Sequence, residues 1–147
     1  MKAKEYLQQI YRLSISIDQK IEEADMLRSM AMNPGSPAMQ VDKVQTSKTG
    51  DRITSITERY MELHDEVIRQ QQELAERKHR IIDQIQKMKD ATYMSILYKR
   101  YVKLEPMTQI AYEMRYNYTW LCELHGNALD AFEKQYLKEP KQPEEDS

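Results

Sequence analysis

Cys122 and His125 are the pair in this chain with the most familiar chemistry, three residues apart and so on one side of a helix. A thiolate and an imidazole at that spacing supply half of a tetrahedral zinc site, which needs four ligands. His64 and His79 lie far upstream with no cysteine beside them. No metal centre and no cofactor is therefore expected. The same pair as nucleophile and base would need a lowered thiol pKa and a turn of backbone N–H groups to hold an oxyanion. With three glycines in 147 residues and no Gly-rich turn near Cys122, enzyme function is not expected. The stretch Lys43–Asp51, KVQTSKTGD, carries lysines and hydroxyls that suit phosphate, but its glycine spacing matches no phosphate-binding loop, and it is expected to be a solvated loop.

What remains is a set of hydrogen-bonding side chains around one short turn. Arg115, Tyr116, Asn117, Tyr118, Thr119, Cys122, Glu123 and His125 crowd that turn and the helix after it, and Lys99, Arg100 and Lys103 stand just upstream. Such groups contact phosphates and base edges, so all eleven are candidate DNA-binding residues. Tyr116 and Tyr118 suit either backbone contacts through their hydroxyls or a staple across the turn. Trp120, at helical spacing with Leu121 and Leu124, is expected to be partly buried packing.

The elements that must position these groups follow from periodicity. Met107, Ile110, Ala111 and Met114 give one short helix a buried side, with Ala111 small enough for a close crossing. Leu121, Leu124, Ala128, Leu129 and Phe132 stripe a second helix, from Tyr118 to about Tyr136, which leaves Tyr118, Thr119, Cys122, Glu123, His125 and Gly126 facing out. A three-residue link, Arg115–Asn117, forces an abrupt change of direction, and Asn117 suits an N-cap. Pro106 suits the start of the first helix, and Pro140 the end of the second.

Upstream, Leu7, Ile10, Ile17, Ile21 and Ala24 recur at steps of three and four, predicting a helix over about 3–32 that Asn33-Pro34-Gly35 stops. A loop is expected over 33–51, with Asp51 as N-cap of a long helix over about 52–89. Its stripe is Ile53, Ile56, Tyr60, Leu63, Val67, Leu74, Ile81, Ile85 and Met88, interrupted at Gln70 and Arg77. The two helices are expected to pair as an antiparallel hairpin, and the surplus stripe of the longer one to dock on the C-terminal module or to dimerise. Asp90 suits the N-cap of a further helix, Ala91 to about Val102. The fold class is therefore all-α: a helical hairpin over 1–89, a helix-turn-helix over 90–138 and a disordered acidic tail over 139–147. The composition agrees, with ten methionines and few glycines.

A net charge of −2 gives no general attraction to nucleic acid or anionic membranes. Across 90–138, Lys99, Arg100, Lys103, Arg115, Lys134 and Lys138 are balanced by Asp90, Glu105, Glu113, Glu123, Asp130 and Glu133. Arg77, Lys78, Arg80, Lys87 and Lys89 surround His79 on the long helix, but Glu73, Glu76 and Asp83 interleave with them, as on a solvated face. The lone cysteine forms no internal disulfide, and no long apolar run exists, so a cytoplasmic protein without membrane contact is expected.

Residues 108–129, TQIAYEMRYNYTWLCELHGNAL, resemble region 4 of bacterial sigma factors: Ile110-Ala111, Met114, Asn117, Leu121, Leu124 and Ala128-Leu129 align without a gap. The preceding LYKRYV, Leu97–Val102, is similar to the helix that opens this module in phage and prophage proteins of Gram-positive hosts. These include the ArpU-type and RinA-type late transcription regulators and a related uncharacterised phage family. The resemblance implies a sequence-specific regulator bound to double-stranded DNA, with RNA polymerase as a partner. Sigma region 4 carries arginines and a glutamine where this chain has Trp120, Cys122 and Glu123, which implies help from a homodimer formed through the hairpin, or from polymerase. A small terminase-like packaging factor and a helical interaction protein that does not bind DNA are the alternatives.

Overall fold

The computed structural model describes residues 1–33 and 46–138. Every regular element among them is helical. α1 (Ala3–Leu7) and α2 (Gln9–Met32) follow one another with hydrogen bonds carried across Gln8, from the Gln8 N–H to the Lys4 carbonyl and from the Arg12 N–H to that of Gln8, each at 3.0 Å. α3 (Thr46–Gln86) is the longest element. Then come α4 (Ala91–Leu97), a π-helical turn (Tyr98–Val102), α5 (Met107–Met114), α6 (Tyr118–Phe132) and a second π-helical turn (Glu133–Leu137).

Two boundaries depart from the pattern-based expectation. α3 starts at Thr46, so part of the loop expected over 33–51 is helical and Asp51 lies inside the helix instead of capping it. Gly50 weakens a helix by only about 1 kcal/mol, and the Thr54 and Thr57 hydroxyls donate back to the Gly50 and Ile53 carbonyls at 2.9 Å. At the other end α3 stops at Gln86 and not near 89. The Met88 N–H turns to the Ile85 carbonyl at 3.0 Å, and this tightening drives Met88 into the core. Asp90 then caps α4, its Oδ1 accepting from the Thr92 and Tyr93 N–H groups at 2.8 and 3.0 Å. The remainder of the expected loop, 34–45, the tail 139–147 and the stop at Pro140 lie outside the described residues.

The contacts group the chain into two compact units: Met1–Arg12 together with the chain from Ala75 onward, and Leu13–Leu74. The first unit holds α4, α5 and α6 against the ends of α1 and α3. Leu7, Ile81, Ile85, Ile96, Leu97, Ile110, Leu121 and Phe132 are almost wholly removed from water. Tyr6 ties the edges, its hydroxyl donating to Gln84 Oε1 at 2.6 Å and its ring lying 5.8 Å from Phe132. Tyr136 donates to the Gln84 carbonyl at 2.7 Å. The surplus stripe of α3, left open between docking and dimerisation, is therefore covered by this unit's own helices.

In the second unit α2 and α3 share a thinner seam, with Ile17, Ala24, Ile56 and Leu63 buried. Ile53, Tyr60, Val67 and Leu74 are half-buried, and Ile21, expected on the buried stripe, is 37% exposed. Ion pairs flank this seam: Lys20 with Glu66 at 3.4 Å and Arg59 with Glu23 at 3.8 Å. No helix among the described residues is long and apolar enough to cross a membrane.

Candidate nucleic-acid interface

The turn between α5 and α6 is built from backbone hydrogen bonds and one cap. The Tyr116 N–H donates to the Ala111 carbonyl at 3.0 Å, and that of Arg115 to Tyr112 at 3.3 Å. Such a closure of a helix C-terminus requires the first of its two donors to be left-handed. Arg115 takes that place, at φ 59° and ψ 38°. Glycine holds this conformation without strain, whereas a side chain makes it unfavourable by roughly 1–2 kcal/mol. Tyr116 completes the closure by packing against the cluster of Ile96, Ile110, Ala111 and Leu121. Asn117 then returns to an extended conformation, and its Oδ1 accepts from the Trp120 N–H at 2.7 Å to start α6. Pro106 and the buried Ile110 and Ala111 hold α5 in place.

The inner faces follow the periodicity closely. Ile110, Ala111, Leu121, Ala128 and Phe132 are buried, and Met107, Met114, Leu124 and Leu129 are partly so. On the outer face Arg115, Tyr118, Thr119, Cys122 and Glu123 are exposed, as their positions opposite the stripe require. A hydrogen bond to Cys122, one turn on, raises the pKa of the Tyr118 hydroxyl. Asn117 is exposed too, but its side-chain oxygen is committed to the cap.

His125 is a correction. Expected outside, it turns inward, with its Nε2 sharing a 2.8 Å hydrogen bond with the Tyr101 hydroxyl and the two rings stacked at 5.7 Å. It follows Leu121 by four residues, on the edge of the buried stripe, and the π-helical turn brings Tyr101 to meet it. Burial lowers the His125 pKa, and the nearby cations Arg100 and Lys4 lower it further. Burial likewise pushes the Tyr101 hydroxyl up to about 12.

The upstream bases are not free to reach a ligand as placed. Lys99 donates to a Glu113 carboxylate oxygen, and Gln109 donates to the other at 2.9 Å. These donors, Lys99 first, hold the Glu113 carboxyl down to about 2. Arg100 donates from Nη1 to the Glu105 carbonyl at 3.0 Å, bracing the turn at Leu104, where φ is 58°. Lys103 pairs with Glu105 at 3.1 Å. The structure thus leaves Arg115, Tyr118, Thr119, Cys122 and Glu123 exposed. It gives Tyr116, Asn117, His125, Lys99, Arg100 and Lys103 structural partners.

Two exposed aromatics stand outside the residues expected at the interface. Trp120, expected to be partly buried, is 44% exposed, and Tyr112 is 86% exposed. For Trp120 the signal was in the spacing, since it follows the Asn117 cap by three residues and lies beside Leu121, which takes the inward position. Among the described residues no group of three or more His, Cys, Asp or Glu side chains could hold a metal ion. No family model, curated protein or solved structure matches the chain.

Proposed function

We propose that this chain is a sequence-specific DNA-binding transcription regulator of a phage or prophage, with α5 and α6 as a helix-turn-helix and α6 as its reading helix. α2 and α3 form an antiparallel hairpin through which two copies pair. The protein acts as that homodimer or together with RNA polymerase, and it performs no catalysis. The observation that carries this reading is the tight turn at Arg115. A cation occupies a left-handed position where glycine would be less strained, at the entrance to a capped helix whose first two turns carry five exposed side chains. Strain kept at a residue of useful chemistry is a reasonable mark of function, and a helix-turn-helix presents that part of its second helix to the major groove. Residues 108–129 also retain the inward pattern of sigma region 4.

Fragments of the parent genome, mixed with the full chain at low salt, test the reading. Binding that weakens with added salt, to a small set of fragments, is the expected result. Arg115→Ala should weaken binding to every fragment alike, as loss of a phosphate contact does, whereas Glu123→Ala should change which fragments are preferred. Absence of binding to any fragment, with or without RNA polymerase, would sink the proposal. Mass in solution separates this regulator, a monomer or dimer, from a terminase-like ring of many copies. One observation favours the interaction-protein alternative: Tyr112, Tyr118 and Trp120 are exposed where cations would serve DNA better.

A further inference from the structure

Resting on the DNA-binding reading, we propose that α6 recognises thymine through its C5-methyl group, with Trp120, Thr119 and the ring of Tyr118 as the apolar contacts. Guanine is read by Arg or Lys against O6 and N7, and adenine by the amide of Asn or Gln. The exposed side chains of the first two turns, Tyr118, Thr119, Trp120, Cys122 and Glu123, include none of these four types. Asn117 is held in its cap at 2.7 Å, and His125 is held against Tyr101 at 2.8 Å, so neither supplies the missing amide or ring nitrogen. Tyr118 is 53% exposed, so its ring is among the apolar surfaces on offer.

Two ring systems and a threonine methyl are left, and the apolar group that DNA presents in its major groove is the thymine methyl. The charges agree with a groove and not with a strand backbone at this point. Glu123 would be repelled by phosphates and by the two acceptors of guanine, but it suits an exocyclic amine such as cytosine N4. Arg115, exposed at the edge of the face, supplies the cation for the flanking phosphate.

Random-sequence duplexes selected by the full chain at low salt, then remade with deoxyuridine in place of thymidine, test this directly. Uracil keeps the pairing and removes only the methyl. The selected sequences should be rich in thymine, and each methyl in contact should be worth about fourfold in affinity, the value of one buried methyl group. Trp120→Ala, at an exposed position where the thermal midpoint should hold, should bind thymidine and deoxyuridine duplexes almost equally. Equal affinity of the unaltered protein for both duplexes overturns the inference while leaving the DNA reading intact. Undiminished discrimination in Trp120→Ala overturns the role given to Trp120. Failure to select any duplex overturns the inference and the DNA reading together, and assigns the aromatic face to a protein partner.

Discussion

The two compact units solve the problem of a helical core in different ways. In the unit from Ala75 onward, short helices change direction at capped or left-handed residues, Asp90, Leu104, Arg115 and Asn117, and enclose a core on several sides. In Leu13–Leu74 two long helices without internal turns share one seam, and most of its apolar row stays half in water. The specificity of the first comes from local backbone chemistry. The second relies on periodic burial and surface ion pairs, each worth under about 1 kcal/mol. A core closed on several sides fixes the directions of its surface side chains, whereas a single seam leaves much of its apolar row half in water.

The largest expected effect tests whether the units differ in how they hold together. Phe132, fully buried against Tyr6 and Tyr136, should lose about 3–5 kcal/mol of stability as Phe132→Ala. Leu63→Ala, in the thinner seam, should lose about 2 kcal/mol, the low end for such a truncation, because it removes a smaller side chain whose neighbours Tyr60 and Val67 are only half-buried and free to close in. Trp120 is the only tryptophan and lies in the first unit, so its fluorescence in a urea titration reports that unit, while far-UV circular dichroism reports all helices. Phe132→Ala should move the fluorescence midpoint further than Leu63→Ala does. Identical shifts from both variants by both probes would mean that the units melt as one, and the contrast would fail.

Next in size is the cap. Asn117→Ala removes the acceptor for the Trp120 N–H and should destabilise the first unit by about 1 kcal/mol. A change below a few tenths would show that the turn is held by the Arg115 and Tyr116 backbone bonds alone. Arg115→Gly acts in the opposite direction. Relief of about 1–2 kcal/mol of left-handed strain is partly offset by about 1 kcal/mol from glycine's freedom in the unfolded chain, so a net gain of about 0.5 kcal/mol is expected. A loss of stability would place the guanidinium in a contact that holds the fold.

Caps and inward stripes were legible because each depends on residues close in sequence. Asp90 and Asn117 were read from their own side chains, and Ile110, Ala111, Leu121 and Ala128 from spacing alone. The early start of α3 was not legible, since Asp51 is a good cap and nothing local says that the helix runs through it. The same holds for His125 and Trp120. His125 is decided by Tyr101, twenty-four residues away, which only the π-helical turn after α4 brings within reach. The sequence balances Lys99 and Lys103 by charge alone, and only the fold sets Glu113 and Glu105 beside them. A sequence shows which groups could contact a ligand more readily than it shows which are already engaged by their own fold.

The smallest effect belongs to that same histidine, and it sets a pH window on one unit only. Burial lowers the His125 pKa in the folded protein, with Arg100 and Lys4 adding to the shift, whereas the unfolded chain returns it to about 6.5. As pH falls below that value the unfolded state takes up the proton first, so folded stability decreases until the folded pKa is also passed. Above about pH 7 the group is neutral in both states and contributes no slope. The Trp120 fluorescence midpoint in urea should therefore drop between about pH 7 and pH 5, and His125→Gln should flatten that part of the profile. Carboxylates that titrate lower would still reduce stability in both proteins below about pH 4. A slope that survives His125→Gln unchanged would remove the inward histidine from the account of how this unit responds to acid.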